Sequence, residues 1–232
     1  MKVGPNMNAP LQNKYRDGTY YAETYLPSPM DLPTSTRWMQ NYFRVVQRLF
    51  PTLDSYRKRS VLEIGSSFGG FVNLLNQRNF TNVTAADLTP LLFPKQLPNR
   101  FLTIDLLATA PLTDTFDLVF AFDVLEHIND SSAVAARIRQ LLKPGGVFVF
   151  CVPYPYKKHL LDNYHTNMQY PPHYTNLFRS HGFDLLGMET SSFVPYVWRL
   201  GLPMDLRFAI PNKYFITEVF FAFRSPAEVN GE

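Results

Sequence analysis

At 232 residues the chain is long enough to bury a sizeable core as one α/β domain. Hydrophobic residues make up 46%, which excludes broad disorder, and 22 basic against 19 acidic residues leave a net charge of +3, too little to imply a nucleic-acid partner. The single cysteine, Cys151, excludes an internal disulfide and a cysteine metal cluster and fits a reducing, cytoplasmic setting.

Residues 1–50 read as an irregular, proline-punctuated segment followed by a helix. The first residues lack the apolar core of a signal peptide. Thr34 or Ser35 can cap a helix running through Phe50. Trp38, Tyr42, Val45, Val46 and Leu49 recur on one face of it. Such a helix either covers a ligand site or pads a sheet face. Residues 51–225 then read as the main domain, with strands expected at 61–64, 82–86, 101–104, 116–122 and 147–152. Helices at 69–78 and 131–142 separate some of these, and Lys143-Pro144-Gly145-Gly146 stops the second helix. Strands alternating with helices imply a mostly parallel sheet covered on both faces. Cys151 sits in the last of these apolar strands and reads as core rather than nucleophile. No run reaches the roughly 18 apolar residues of a membrane span.

The rhythm breaks at 153–175, which holds Pro153, Pro155, Pro171, Pro172, five tyrosines and three histidines. A loop this long in a compact domain is usually functional or disordered, and its aromatic content argues against disorder. A helix over 174–181, a strand over 184–190, a second insertion at 192–213, a final strand over 217–224 and a frayed tail at 226–232 complete the chain.

The stretch Val61 to Phe71 carries most of the chemistry. It reads as a buried strand, a turn bearing Gly65 and Gly69, and a helix start. The glycines let a ligand approach the backbone, and the helix offers free N–H groups. Asp87 ends the second strand 22 residues after Gly65, a spacing suited to holding a ribose diol. A dinucleotide turn would carry a glycine in place of Ser67, and Glu63 would sit awkwardly against phosphates. A cationic nucleoside without phosphate fits better. Ser67 is expected to be accommodated by a backbone of negative φ.

These residues resemble the class I S-adenosylmethionine-dependent methyltransferases, in particular the group that includes the ubiquinone-type enzymes. The resemblance spans roughly residues 60–190. Glu63-Ile64-Gly65-Ser66-Ser67-Phe68-Gly69 matches the glycine loop, Asp87 the ribose acid, and Asp105-Leu106 the pair beside adenine. Phe116 to Val119 with Asp123 to Ile128 matches the fourth strand and its loop. Leu141 to Gly146 and His181-Gly182-Phe183 match later turns. The resemblance implies a Rossmann-like, seven-stranded, mostly parallel sheet with helices on both faces and the last strand antiparallel. It implies S-adenosylmethionine as donor, with S-adenosylhomocysteine as product. The implied cofactor residues are Glu63, Gly65, Ser66, Ser67, Gly69, Asp87, Leu88, Asp105, Leu106, Phe122 and Asp123.

Methyl transfer is an in-line displacement, and positioning supplies much of its catalysis. A base is needed only for a hydroxyl or protonated amine, and His127 is the candidate, its alternative being a structural role. The acceptor side is expected from the N-terminal segment and the aromatic loop, with Tyr154, Tyr156, His165 and His173 as candidates. A metal site at His159, His165 and His173 fits no helical ligand pair, so no metal is expected. The expected acceptor is a small molecule such as a saccharide or secondary metabolite, with nucleic acid disfavoured. Two other readings stay open: a cofactor-binding protein without catalysis, and an RNA or protein methyltransferase.

Overall fold

Short runs of branched and aromatic residues build the parallel half of one sheet. The computed structural model describes residue 23 and residues 30–156, 165–194, 205–206 and 215–227. The first five strands are β1 (Val61–Ile64), β2 (Val83–Asp87), β3 (Arg100–Thr103), β4 (Phe116–Phe122) and β5 (Leu142–Pro153). They are followed by β6 (Asp184–Phe193), β7 (Asp205–Leu206) and β8 (Ile216–Arg224). The spatial order is β3-β2-β1-β4-β5-β8-β6-β7. Strands β3 to β5 pair in parallel, while β8 enters antiparallel between β5 and β6. The anticipated seven-stranded sheet with an antiparallel last strand is therefore present. The two-residue β7 adds an eighth strand at the edge, pairing Ser192 with Leu206 and Phe193 with Asp205.

Strands β1 and β2 are buried along their whole length, as expected for strands covered on both faces. Side chains alternate across the pleat. In β4, Leu118, Phe120 and Phe122 face a core built with helix α1 (Leu32–Leu49) and helix α2 (Gly70–Gln77). Val119 and Ala121 face the other core, built with α3 (Ser131–Leu141) and α4 (Pro171–Ser180). Aromatic stacking thickens that second layer: the Phe150 ring lies 4.9 Å from Phe221 and 5.2 Å from Phe178. Among the described residues, no helix is long and apolar enough to cross a membrane.

Two helices begin earlier than capping residues suggested, for one reason. In α1 the cap is Asp31, whose Oδ1 accepts the Thr34 N–H at 2.7 Å, and Pro33 lies inside the first turn. In α4 the paired Pro171 and Pro172 occupy the first turn, so the helix starts three residues before 174. A proline there sacrifices no hydrogen bond, because first-turn N–H groups have no helical acceptor. The Lys143–Gly146 turn differs too. Leu142 already pairs with Phe116, and the shift in register before Leu118 absorbs the turn as a bulge within β5.

Two contacts fix this frame around the sheet's reversal point. Asp117 sits under the β1–β4 pair, where its Oδ2 accepts from the Ser60 N–H and hydroxyl and from the Lys143 ammonium at 2.7 Å. Burial pushes its carboxyl up, but the Lys143 and Ser60 donors win and hold it at about 2. Gly70, at the start of α2, lets α1 cross in backbone contact. A Cβ there would lie 2.2 Å from Ser35 Oγ and 2.6 Å from the Ser35 carbonyl carbon. Backbone cannot step aside as a flexible side chain can, so Gly70→Ala should cost about 1–3 kcal/mol. A lowered midpoint with unchanged slope in urea denaturation is the expected result; a midpoint equal to wild type would show that α1 does not rest on α2 in this way.

Candidate active site

Strand order reverses between β1 and its two neighbours, β2 and β4, and that reversal opens a crevice at the strands' carboxyl ends. The loop leaving β1 lines it. Gly65, Ser67 and Gly69 all have positive φ, at +77°, +40° and +70°. The negative φ anticipated for Ser67 is thus corrected: it takes the conformation of the glycine it replaces. That costs a residue with a Cβ roughly 1–2 kcal/mol. Hydrogen bonds to β2 hold the loop there. The Gly65 and Ser66 N–H groups both donate to the Ala86 carbonyl, at 2.8 and 3.0 Å, and the Ser67 N–H donates to Asp87 Oδ2 at 3.0 Å. Gly65 has no room for a side chain, since a Cβ would meet Val124 Cγ2 at 2.4 Å.

Three acids follow from this scaffold. Glu63 is 3% exposed, and its Oε2 has no hydrogen-bond partner. Burial pushes its carboxyl well above the ordinary range; the Val72 N–H opposes that and Asp87 reinforces it. Asp87 also accepts the Leu88 N–H at Oδ1, 2.7 Å away. Asp105, after β3, accepts the Leu107 N–H at 2.8 Å, and Leu106 beside it is buried.

A fourth acid sits across the crevice. Asp123, at φ +54°, turns the chain after β4. Its carboxylate accepts from the Tyr42 hydroxyl at 2.8 Å and the Cys151 thiol at 3.4 Å. Glu218 of β8 adjoins it; burial and then the Asp123 charge push Glu218 well up, so Glu218 keeps the proton of the pair. Burial and the same carboxylates push the Cys151 thiol up as well, which fits a core residue and not a nucleophile.

These groups enclose a cavity of about 310 Å³. Glu63, Gly65, Ser66, Ser67, Asp87, Leu88, Asp105, Leu106, Phe122 and Asp123 all line it. Gly69 does not; it caps α2 from outside, where a Cβ would meet Leu97 at 2.6 Å. Its neighbour Gly70 lines the cavity instead. Met30, Ser35, Trp38 and Met39 wall the cavity from the side of α1, so the helix expected either to cover a ligand site or to pad the sheet does line the cavity, although none of the four was named as a site residue. Trp38 was visible only as part of an amphipathic face.

His127 lines the far end, on the helical turn Leu125–His127 after β4. Of the loop candidates, His165 sits behind it, ring centroids 5.2 Å apart. Tyr154 packs against Tyr156 at 4.9 Å and Tyr170 at 5.9 Å, and His173 packs edge-on to Tyr174 within α4. None of these four is among the cavity's described lining residues. His159 and Tyr164 of the same loop lie outside the described residues.

A glycine-type loop between β1 and α2, an acid closing β2 and a sheet in this order define a class I methyltransferase fold. The comparisons agree. Residues 35–188 match the family described as methyltransferase domain, and the chain belongs to that family. It is a methyltransferase, and S-adenosylmethionine is the cofactor of its class. An uncharacterised protein of Methanocaldococcus jannaschii is 25% identical over 186 residues, covering 77% of this chain and 80% of that one. The 2-methyl-6-phytyl-1,4-hydroquinone methyltransferase of Synechocystis is 27% identical over 97 residues, covering 39% of this chain and 30% of that one. Phosphoethanolamine N-methyltransferase 2 of Haemonchus contortus, solved with S-adenosyl-L-methionine, aligns at TM-score 0.58 and 18% identity, covering 82% of this chain and 53% of that one.

The donor set fits the cofactor. Glu63 Oε2 is a buried acceptor awaiting a donor, and an ammonium would supply both hydrogen bonds and charge. The sign of the coupling follows. Without ligand the carboxyl is raised, so its proton is retained well above the ordinary carboxylate range. A bound cation lowers it, so binding releases a proton in the interval between the two values, and affinity falls as pH drops through the ligand-free value. Calorimetry of S-adenosylmethionine binding in buffers of different ionisation enthalpy should show this release. Glu63→Gln should abolish the buffer dependence and weaken binding about tenfold or more, the loss of a charged hydrogen bond, without lowering the stability of the free protein. Equal heats in all buffers for wild type would contradict the assignment.

Proposed function

We propose that the protein transfers the methyl group of S-adenosylmethionine to a small-molecule acceptor bound between α1 and the His127 end of the cavity. The observation that carries this reading is the division of the cavity walls. The loop, Glu63, Asp87 and Asp105 supply polar groups on the β1–β3 side, while Met30, Trp38, Met39, Phe122 and Ile128 supply apolar surface elsewhere. A donor with charged and diol groups suits the first, and a compact acceptor with an apolar body suits the second.

In this arrangement Glu63 receives the ammonium of the methionine part and Asp87 the ribose hydroxyls. Asp105 and Leu106 lie against the adenine. S-adenosylmethionine supplies a methyl carbon bearing an excellent leaving group. The chain's own work is to align the acceptor behind that carbon and to exclude water, tasks for which Trp38 and Met39 of α1 are placed. His127 marks the acceptor end, and an acceptor hydroxyl loses its proton there. A saccharide is less well matched to the apolar walls than an aromatic or prenyl-bearing metabolite. The Synechocystis relative acts on a hydroquinone by its name, which favours the same choice.

A transfer screen with S-adenosylmethionine labelled in its methyl group, over phenols, hydroquinones, saccharides and RNA, tests the reading. Label should appear in a phenolic or hydroquinone acceptor and disappear with Asp87→Ala. Label in RNA alone, or in saccharides alone, would contradict it.

A further inference from the structure

Behind the acceptor end lies a group of ligating side chains that donor binding does not use. Glu126 is fully buried, and its neighbour His127 lines the cavity. His165 arrives from the segment after β5, 38 residues further along the chain. One ligand atom from each of the three lies within 4.8 Å of the others, and His127 Nε2 is 3.8 Å from Glu126 Oε1. The two imidazole planes meet at 52°, so the rings converge and do not stack.

The segment bearing His165 is tied to the turn bearing the other two. The Asn167 N–H donates to the Glu126 carbonyl at 2.8 Å, and its side-chain amide donates to the Ile128 carbonyl at 2.7 Å and to Ser131 Oγ. Asn167 is itself buried. Three bonds from one residue hold two distant parts of the chain in register. What that register achieves is the meeting of His127, His165 and Glu126.

Two imidazoles and one carboxylate form a ligand set of transition-metal sites, and one of the three, His127, lines the cavity. Metal–ligand distances near 2.0–2.2 Å place ligand atoms roughly 3–3.5 Å apart. Lying within 4.8 Å of one another, the three ligand atoms need to draw together by up to about 1–2 Å to close on an ion, a movement on the scale of side-chain rotation. The surroundings favour a cation: the Asp123 carboxylate lies within electrostatic reach of His165.

We propose that Glu126, His127 and His165 bind one divalent transition-metal ion at the acceptor end of the donor cavity, and that the ion's open position takes an acceptor oxygen. The second half rests on the donor placement above. The bound hydroxyl or phenol gives its proton to solvent, being acidified by the ion. Its oxygen then forms a bond to the methyl carbon as the carbon–sulfur bond breaks, and that bond's electron pair stays on sulfur to leave a neutral thioether. His127 thereby acts as a ligand and not as a base. The acceptor class narrows to molecules with a hard oxygen donor, above all phenols and hydroquinones.

Cobalt is the probe. Full-length, tag-free protein is stripped with chelator and titrated with Co²⁺, followed by visible d–d absorbance and calorimetry. One ion per chain is expected, displaced by Zn²⁺. Loss of a ligand in His165→Ala should weaken Co²⁺ about 10- to 100-fold or more and bleach the visible band. The same variant should bind S-adenosylhomocysteine within about twofold of wild type, since His165 does not line the donor cavity. His127→Gln, at a partly exposed position, provides a second test of ligation should His165→Ala fold poorly. Saturation at fewer than one ion, or wild-type Co²⁺ binding by both variants, overturns the metal site. Cobalt binding without S-adenosylhomocysteine binding overturns the donor placement and leaves the metal site standing; the converse result overturns the metal site alone.

Discussion

The end of β2 determines what the loop after β1 can be. The Ala86 carbonyl accepts two successive N–H groups, from Gly65 and Ser66, and the next residue, Asp87, accepts a third from Ser67. These bonds continue the β1–β2 ladder past the last residue of β1 and force the chain through alternating left-handed positions. From that geometry come the cavity floor, the start of α2 and the exposure of Glu63 to the crevice. Gly70 then admits α1 at backbone distance, and α1 closes the cavity with Trp38 and Met39. One set of hydrogen bonds thus links the strand pair to the lid. An Asp87 variant would disturb the loop as well as any ribose it holds.

Acids concentrate at the carboxyl ends of the strands, and most are buried. Glu63, Asp87, Glu126 and Glu218 are each no more than 5% exposed. Burying such groups is unfavourable unless they are paired, neutralised or held by donors. Asp87 has backbone donors, and Glu218 keeps its proton beside Asp123. Glu63 lines the cavity and keeps a buried oxygen without a hydrogen-bond partner. A protein selected for stability alone would fill that position with an apolar side chain; a cationic ligand gives the carboxylate a role.

Much of this was legible in the sequence because it depends on local rules. Period-two apolar runs marked the central strands, and the spacing from Gly65 to Asp87 follows from one strand–helix–strand unit. Ten cofactor candidates meet around one cavity for that reason. The departures have tertiary causes. Ser67 takes a left-handed backbone because β2 holds it there, although its side chain alone disfavours this. Gly69 looked like a ligand residue but packs against Leu97, while Gly70, which reads as an ordinary helix residue, carries the contact with α1. Pro33 and the Pro171–Pro172 pair read as helix breakers and are first-turn residues. Pairings such as Tyr42 with Asp123, 81 residues apart, or His127 with His165 leave no trace in spacing. Of the two segments expected to build the acceptor side, the N-terminal one lines the cavity through Met30, Trp38 and Met39, while the four loop candidates do not line it.

The central claim is that the β1 loop and Glu63 hold the methionine part of the donor while Asp87 holds its ribose. A crystal structure with S-adenosylhomocysteine bound tests it most directly. The account predicts the amino group within hydrogen-bond distance of Glu63 Oε2 and the ribose hydroxyls on Asp87, with the thioether sulfur facing the His127 end. A ligand bound elsewhere, or one lying in the cavity with its ribose on Glu63 and its amino group at Asp105, would contradict it.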